Sequence, residues 1–187
     1  MKMNLPNKLT ILRIAMVPFF VFFLLADFVP HRYLFALILF CAASYTDHLD
    51  GKIARRDNLI TNFGKLMDPL ADKILVMSAL ICLVALDLAP AVCVILIMLR
   101  EFAVTSVRLL AVEQGRVIAA NNWGKAKTVS QMIAIITILF LQYVCTFAPA
   151  ALAACNTIGQ VLVWVTALLS VISGIIYFKD NADVLKG

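Results

Sequence analysis

Apolar residues recur along this chain in runs near 20 residues long, separated by short clusters of polar and charged positions. A helix needs about 20 such residues to cross a hydrocarbon layer about 30 Å thick. The pattern therefore predicts an all-α polytopic membrane protein with six transmembrane helices, at roughly 10–29, 33–50, 69–88, 90–112, 128–147 and 157–178. Ahead of the first run, Leu5, Leu9 and Leu12 fall near helical spacing beside Lys8 and Arg13, which predicts a short amphipathic segment at the headgroup surface. Asn7, Thr10 and Arg13 share one helical face, which leaves a substrate-facing role open. Asp27 closes the first run and no small-residue cleavage pattern follows, so the run reads as a retained span. Pro69 suits the first turn of a helix and would interrupt a longer one, so the third helix is expected to kink or start between Gly64 and Asp68. The last span, ending ISGIIYFKD, carries no internal charge; packing is its expected role, with Tyr177 and Lys179 as an interfacial anchor.

Composition narrows the class. The chain has 187 residues, of which 63% are hydrophobic, which excludes an ordinary soluble domain and leaves one membrane domain over 1–187. The net charge of +5 does not point to nucleic acid, because no soluble segment interleaves cations with exposed aromatics. The cations follow membrane topology instead. With six spans both termini share one side, and that side carries a series from Lys2 and Lys8 through Lys52, Arg55, Arg56 and Lys65 to Lys179 and Lys186. The opposite loops hold only Arg32. Both termini are therefore expected in the cytoplasm. The five cysteines form no CxxC pair and read as small core residues; Cys145 and Cys155 flank one external loop, where a disulfide is conceivable.

Charge within apolar segments calls for a function. Asp47, Asp50, Asp68 and Asp72 lie at the ends of the second and third runs, on the side assigned to the cytoplasm. At about 100° per residue, Asp50, Gly51, Ala54 and Arg55 stay within roughly 80° of Asp47 on a helix, whereas His48 turns away by about 100°. Gly64, Asp68 and Asp72 follow at four-residue spacing, which makes them neighbours on an approximately helical segment. Converging carboxylates repel one another unless cations neutralise them. Hard oxygen donors without a cysteine or histidine cluster favour Mg²⁺ or Mn²⁺, as a two-metal site, over zinc. Small residues on the acidic face admit a bulky ligand, and Arg55 can hold phosphate. Metal-assisted displacement at phosphorus is one reading; a cation transporter is the other that the residues leave open.

Further along, Glu101, Thr105 and Arg108 share a face, and Arg100 with Glu101 reads as an ion pair between helices. The stretch 113–127 brings Gly115, Arg116, Asn121, Asn122, Gly124, Lys125 and Lys127 together, the composition of a connection near a phosphate. Lys127, Ser130, Gln131 and Ala134 continue it as a polar or small stripe.

Asp47, Asp50, Gly51, Ala54, Arg55, Gly64, Asp68 and Asp72 match DxxDGxxARx₈GxxxDxxxD at every position, and the chain thereby resembles the CDP-alcohol phosphotransferases. LPNKLTILR, REFAVTSVR and GRVIAANNWGKAKTVSQM extend the likeness to the bacterial branch whose acceptor is a glycerol phosphate, although it fades in the last helix. The resemblance implies six transmembrane helices, a homodimer among membrane lipids, and a site open to the cytoplasm of a bacterial inner membrane. It implies that Asp47, Asp50, Asp68 and Asp72 hold the metals, with Asp72 also the general base. Asp50, Gly51, Ala54, Arg55, Gly64 and Asp68 would receive the CDP group. The implied reaction passes a phosphatidyl group from CDP-diacylglycerol to sn-glycerol 3-phosphate and releases CMP. Arg108, Arg116, Lys125 and Lys127 are the candidates for the acceptor phosphate, Arg108 and Lys127 foremost. A sibling enzyme with a cardiolipin-type or inositol-phosphate acceptor is the alternative within the class.

Overall fold

The computed structural model describes residues 5–56, 62–116, 118 and 122–184; the side chains of 5–6, 47–56, 62–66, 68 and 69 are outside that description. Among the described residues six α-helices follow one another: α1 (Leu5–Leu25), α2 (Arg32–Arg56), α3 (Asn62–Ala85), α4 (Ala91–Glu113), α5 (Asn122–Cys145) and α6 (Leu152–Asp180). A single 3-10 turn, Pro149–Ala151, leads into α6, and no strand occurs among the described residues. The all-helical class and the number of helices agree with the hydropathy pattern. Among the described residues three stretches, Asn7–Leu25, Asn122–Cys145 and Pro149–Asp180, are each long and apolar enough to cross a membrane, and Arg32–Thr46 is a shorter apolar helix. Ionisable residues interrupt the other two helices: Asp72 and Lys73 in α3, and Arg100, Glu101 and Arg108 in α4.

Several boundaries differ from the hydropathy reading. Residues from Leu5 onward are the first turns of α1 and no separate surface segment; Asn7, Thr10 and Arg13 are buried, because their shared face turns into the bundle. Helix α3 runs unbroken from Asn62 through position 69. Pro69 thus sits inside the helix, where it removes one backbone donor without ending it. The downstream face of α3 is well anchored, since Ala71, Leu75, Ala79 and Leu83 are all buried. Helix α5 begins at Asn122, so Lys125 and Lys127 stand on its first turns and not in the preceding connection.

Helix α1 packs against α2 and α3, α5 against α6 and α2, and α4 mainly against α6. The main core joins Phe20, Leu24, Phe40, Leu83, Ile97, Ile135, Leu139 and Val163, with Ala36, Ala43, Ala79 and Ala167 letting backbones approach. The rings of Phe20 and Phe40 meet at 5.8 Å. Large apolar residues also face outward, among them Phe19, Leu99, Phe102, Ile133 and Leu168. Such a surface suits lipid in place of water.

Among the described connections, short turns join α1 to α2, α3 to α4 and α5 to α6. Helix α4 ends in a Schellman arrangement: Gly115 N–H donates to the Val112 carbonyl and Arg116 N–H to the Ala111 carbonyl, at 2.9 and 2.8 Å. The turn requires a left-handed residue, and Gly115 supplies it with φ of 72°. The reversal brings the start of α5 back beside the charged part of α4.

Candidate active site

Helices α3, α4, α5 and α6 enclose a cavity of about 400 Å³. Asp72 and Lys73 line it from α3, Arg100, Glu101, Thr105 and Arg108 from α4, Gly124, Lys125 and Thr128 from α5, and Tyr177 from α6. On α4 the positions 101, 105 and 108 recur at helical spacing, so one face of that helix is polar while Leu99, Phe102 and Leu109 point outward. A smaller recess beside the cavity also has Asp72 and Glu101 in its wall and adds Lys127 and Gln131.

An ion-pair network forms the cavity's inner wall. Lys127 Nζ donates to Glu101 Oε1 at 2.5 Å, and Arg100 Nη1 donates to the same oxygen at 2.8 Å. Arg100 Nη2 reaches across to Ser173 Oγ at 2.7 Å. Gly174 makes this crossing possible, since a Cβ there would lie 2.9 Å from Arg100 Cγ. Helices α4, α5 and α6 are thus tied through one carboxylate and one guanidinium. Lys73 donates to Thr105 Oγ1, and Thr105 in turn donates to the Glu101 carbonyl oxygen at 2.7 Å.

Arg100, Arg108, Lys73 and Lys125 face the cavity against two acids, Asp72 and Glu101. Glu101 is already compensated by Lys127 and Arg100. Among the described residues no ion pair engages Arg108 or Lys125, which leaves the cavity with cationic donors for an anion.

The predicted site residues fall into three groups. Asp72, Arg108 and Lys125 come together in the cavity, and Lys127 lies behind it, nearly buried against Glu101. Arg116 points elsewhere and donates to Asp183 Oδ2 at 2.5 Å beyond the end of α6. The side chains of Asp47, Asp50, Gly51, Ala54, Arg55, Gly64 and Asp68 lie outside the described residues. Asp47 and Asp50 stand three residues apart on α2, and Asp68 and Asp72 four apart on α3. Helices α2 and α3 are in contact. Carboxylates are hard oxygen donors, the ligand type that suits Mg²⁺ or Mn²⁺, and of the four acids of the motif the described side chain is that of Asp72, in the cavity wall.

Helix α6 has a larger role than its charge-free sequence suggested. Tyr177 is no interfacial anchor: it is only 2% exposed, packs with Val104, Val107 and Ala111, and lines the cavity. Its hydroxyl has no hydrogen-bond partner among the described residues. Thr166, Ser170, Ser173 and Tyr177 recur at three- and four-residue intervals and are all buried. That polar stripe was the available signal for an inward-facing helix. Lys73 also went unrecognised, although its place next to Asp72 was the clue.

Residues 3–172 match the family model described as CDP-alcohol phosphatidyltransferase, and the chain belongs to that family. It is 45% identical to the CDP-diacylglycerol–glycerol-3-phosphate 3-phosphatidyltransferase of Bacillus subtilis (strain 168), with 98% of this chain and 97% of that protein aligned. The proteins of the same name from Rickettsia felis and Treponema pallidum are 37% and 31% identical, over 94% and 98% of this chain and 94% and 92% of their own lengths.

Proposed function

We infer that this chain transfers a phosphatidyl group from CDP-diacylglycerol to sn-glycerol 3-phosphate, giving phosphatidylglycerophosphate and CMP. The observation that carries the reading is the meeting of Asp72 with Arg108 and Lys125 in one cavity, a carboxylate beside cationic anchors. A phosphorylated alcohol needs both features, one for its hydroxyl proton and the other for its phosphate.

Arg108 and Lys125 hold the acceptor's phosphate, with Lys127 adding positive charge from behind Asp72. The Glu101 carboxylate keeps Lys127 and Arg100 in place. The acceptor's primary hydroxyl then lies toward Asp72, which takes its proton as the oxygen attacks the lipid-bearing phosphorus. The bond from that phosphorus to the CMP oxygen breaks, and CMP departs with the electron pair. Asp47, Asp50, Asp68 and Asp72 would hold two Mg²⁺ or Mn²⁺ ions, which supply charge neutralisation to the diphosphate and the leaving group. Gly51, Ala54 and Gly64 leave room for the CDP group, and Arg55 pairs with its phosphate.

In this reading all six helices span a bacterial cytoplasmic membrane, with both termini and the cavity on the cytoplasmic side. The positive-inside bias of the loops supports that orientation. The chain works as a homodimer whose remaining apolar surface meets lipid. An acceptor panel tests the reading: purified protein given CDP-diacylglycerol releases CMP with sn-glycerol 3-phosphate and not with inositol phosphate or phosphatidylglycerol. CMP release favouring either of the latter would reassign the acceptor.

A further inference from the structure

We propose that Cys145 and Cys155 form a disulfide that closes the α5–α6 hairpin at the end of the bundle remote from the polar cavity. Cys145 is the last residue of α5 and Cys155 lies in the first turn of α6, and their sulfurs are 2.7 Å apart. Both are buried, at 5% and 8% exposure, so the two thiols face each other and not lipid. A second contact fixes the same register without sulfur: Gln142 Nε2 donates to Asn156 Oδ1 at 2.6 Å, about one turn deeper in the hairpin. The two helix ends are therefore held together at the cysteines on independent grounds. Cys41, Cys82 and Cys93 stand on α2, α3 and α4 and serve as internal controls.

Position along α5 supplies the compartment. From Lys127 to Cys145 the helix rises about 27 Å at roughly 1.5 Å per residue. That approaches the thickness of the hydrocarbon core, about 30 Å. The cysteines thus belong to the membrane face opposite the cavity. This step rests on the proposed topology, which makes that face extracytoplasmic, where disulfides form and persist.

The oxidant is a disulfide-bearing thiol oxidoreductase or small-molecule disulfide on that side. One cysteine thiolate attacks a donor sulfur, forming a mixed disulfide and expelling the first donor thiolate. The second cysteine thiolate then attacks the protein-side sulfur of the mixed disulfide and expels the other donor thiolate. Two electrons pass to the donor, and the two thiol protons end on its thiolates. The cross-link fixes the hairpin and leaves the carboxylates of α2 and α3 untouched.

The test uses full-length protein in membranes of a host with an oxidising extracytoplasmic compartment. Thiols are blocked with N-ethylmaleimide before solubilisation and again after denaturation. Chymotrypsin, which cleaves after Phe147 between the two cysteines, then gives separate peptides for non-reducing mass spectrometry. The expected result is one joined species containing Cys145 and Cys155, two hydrogens lighter than its parts and separated by reductant. Cys82 and Cys93 carry the maleimide in the same digest. In Cys145→Ser, Cys155 becomes fully alkylated. Recovery of Cys145 and Cys155 both as maleimide adducts in the wild type overturns the proposal. CMP release is assayed on the same membranes: release with a reduced pair refutes the cross-link alone, whereas a joined pair without release refutes the enzymatic reading and upholds the cross-link.

Discussion

Lys127 on α5 donates to Glu101 on α4 at 2.5 Å, with the two side chains only 4% and 13% exposed. Arg100 shares the same carboxylate, so Glu101→Gln would leave two largely buried cations with a neutral partner. Breaking a buried pair by removing one partner costs about 3–5 kcal/mol. A loss of about that size is expected in the thermal stability of Glu101→Gln in detergent, with a smaller loss when Lys127→Met is added. Additive losses in the double variant would mean the two residues do not depend on each other.

Gly174 is the position where α6 admits the Arg100 side chain. A methyl group 2.9 Å from Arg100 Cγ forces the guanidinium away from Ser173 and Glu101. Gly174→Ala should therefore destabilise by about 1–3 kcal/mol. Gly159→Ala should do less, because its new Cβ would meet Ile138 Cγ1 at 3.2 Å, a contact that a small shift relieves. Equal melting temperatures for Gly174→Ala and the wild type would show that Arg100 is not held as described.

Arg108, within α4, and Arg116, just beyond its end, should separate in kinetics. Arg108→Gln removes a cavity cation and should raise the KM for sn-glycerol 3-phosphate about tenfold or more, as expected for a charged hydrogen bond worth about 1.5–3 kcal/mol. The KM for CDP-diacylglycerol should stay near its original value. Arg116→Gln should change neither, because Arg116 is taken up by Asp183. Its hydrogen bond holds the Asp183 carboxyl below its ordinary value of 3.8. The folded-state pKa is thus the lower one, so the stabilisation is present above the ordinary carboxylate range and fades only as pH falls through the lowered value. Both residues are exposed, so the pair contributes little.

The helical class was legible from the sequence because long apolar runs are a strong local signal, and the polar face of α4 was legible because lipid disfavours charge within such a run. Helix starts were less legible. Asn122 to Lys127 reads as a turn from its asparagine and glycine, yet it is the first part of α5, where Lys127 is tied to Glu101 of α4. Pro69 misled for a similar reason, since packing downstream of it sustains α3. The shared faces of Asn7, Thr10 and Arg13 and of Thr166, Ser170, Ser173 and Tyr177 are local patterns that mark an inward side, but which helices those faces meet depends on the tertiary arrangement.

Removal of divalent metal is expected to stop turnover while leaving the fold intact, because the main core is built from apolar contacts that need no metal. Chelation followed by dialysis should give inactive protein with unchanged helicity by circular dichroism. Added Mg²⁺ or Mn²⁺ should restore CMP release. Full activity in chelator would remove the metals from the account.

In the proposed mechanism the chemistry turns on Asp72, and one measurement addresses it directly. Purified protein is given CDP-diacylglycerol, Mg²⁺ and sn-glycerol [³²P]3-phosphate, and label is followed into the lipid phase together with CMP. The wild type should convert label to phosphatidylglycerophosphate with one CMP per lipid. Asp72→Asn should abolish conversion yet still bind CDP-diacylglycerol, since Asp47, Asp50 and Asp68 remain. Label that stays in water with the wild type, or enters lipid equally well with Asp72→Asn, would contradict the account.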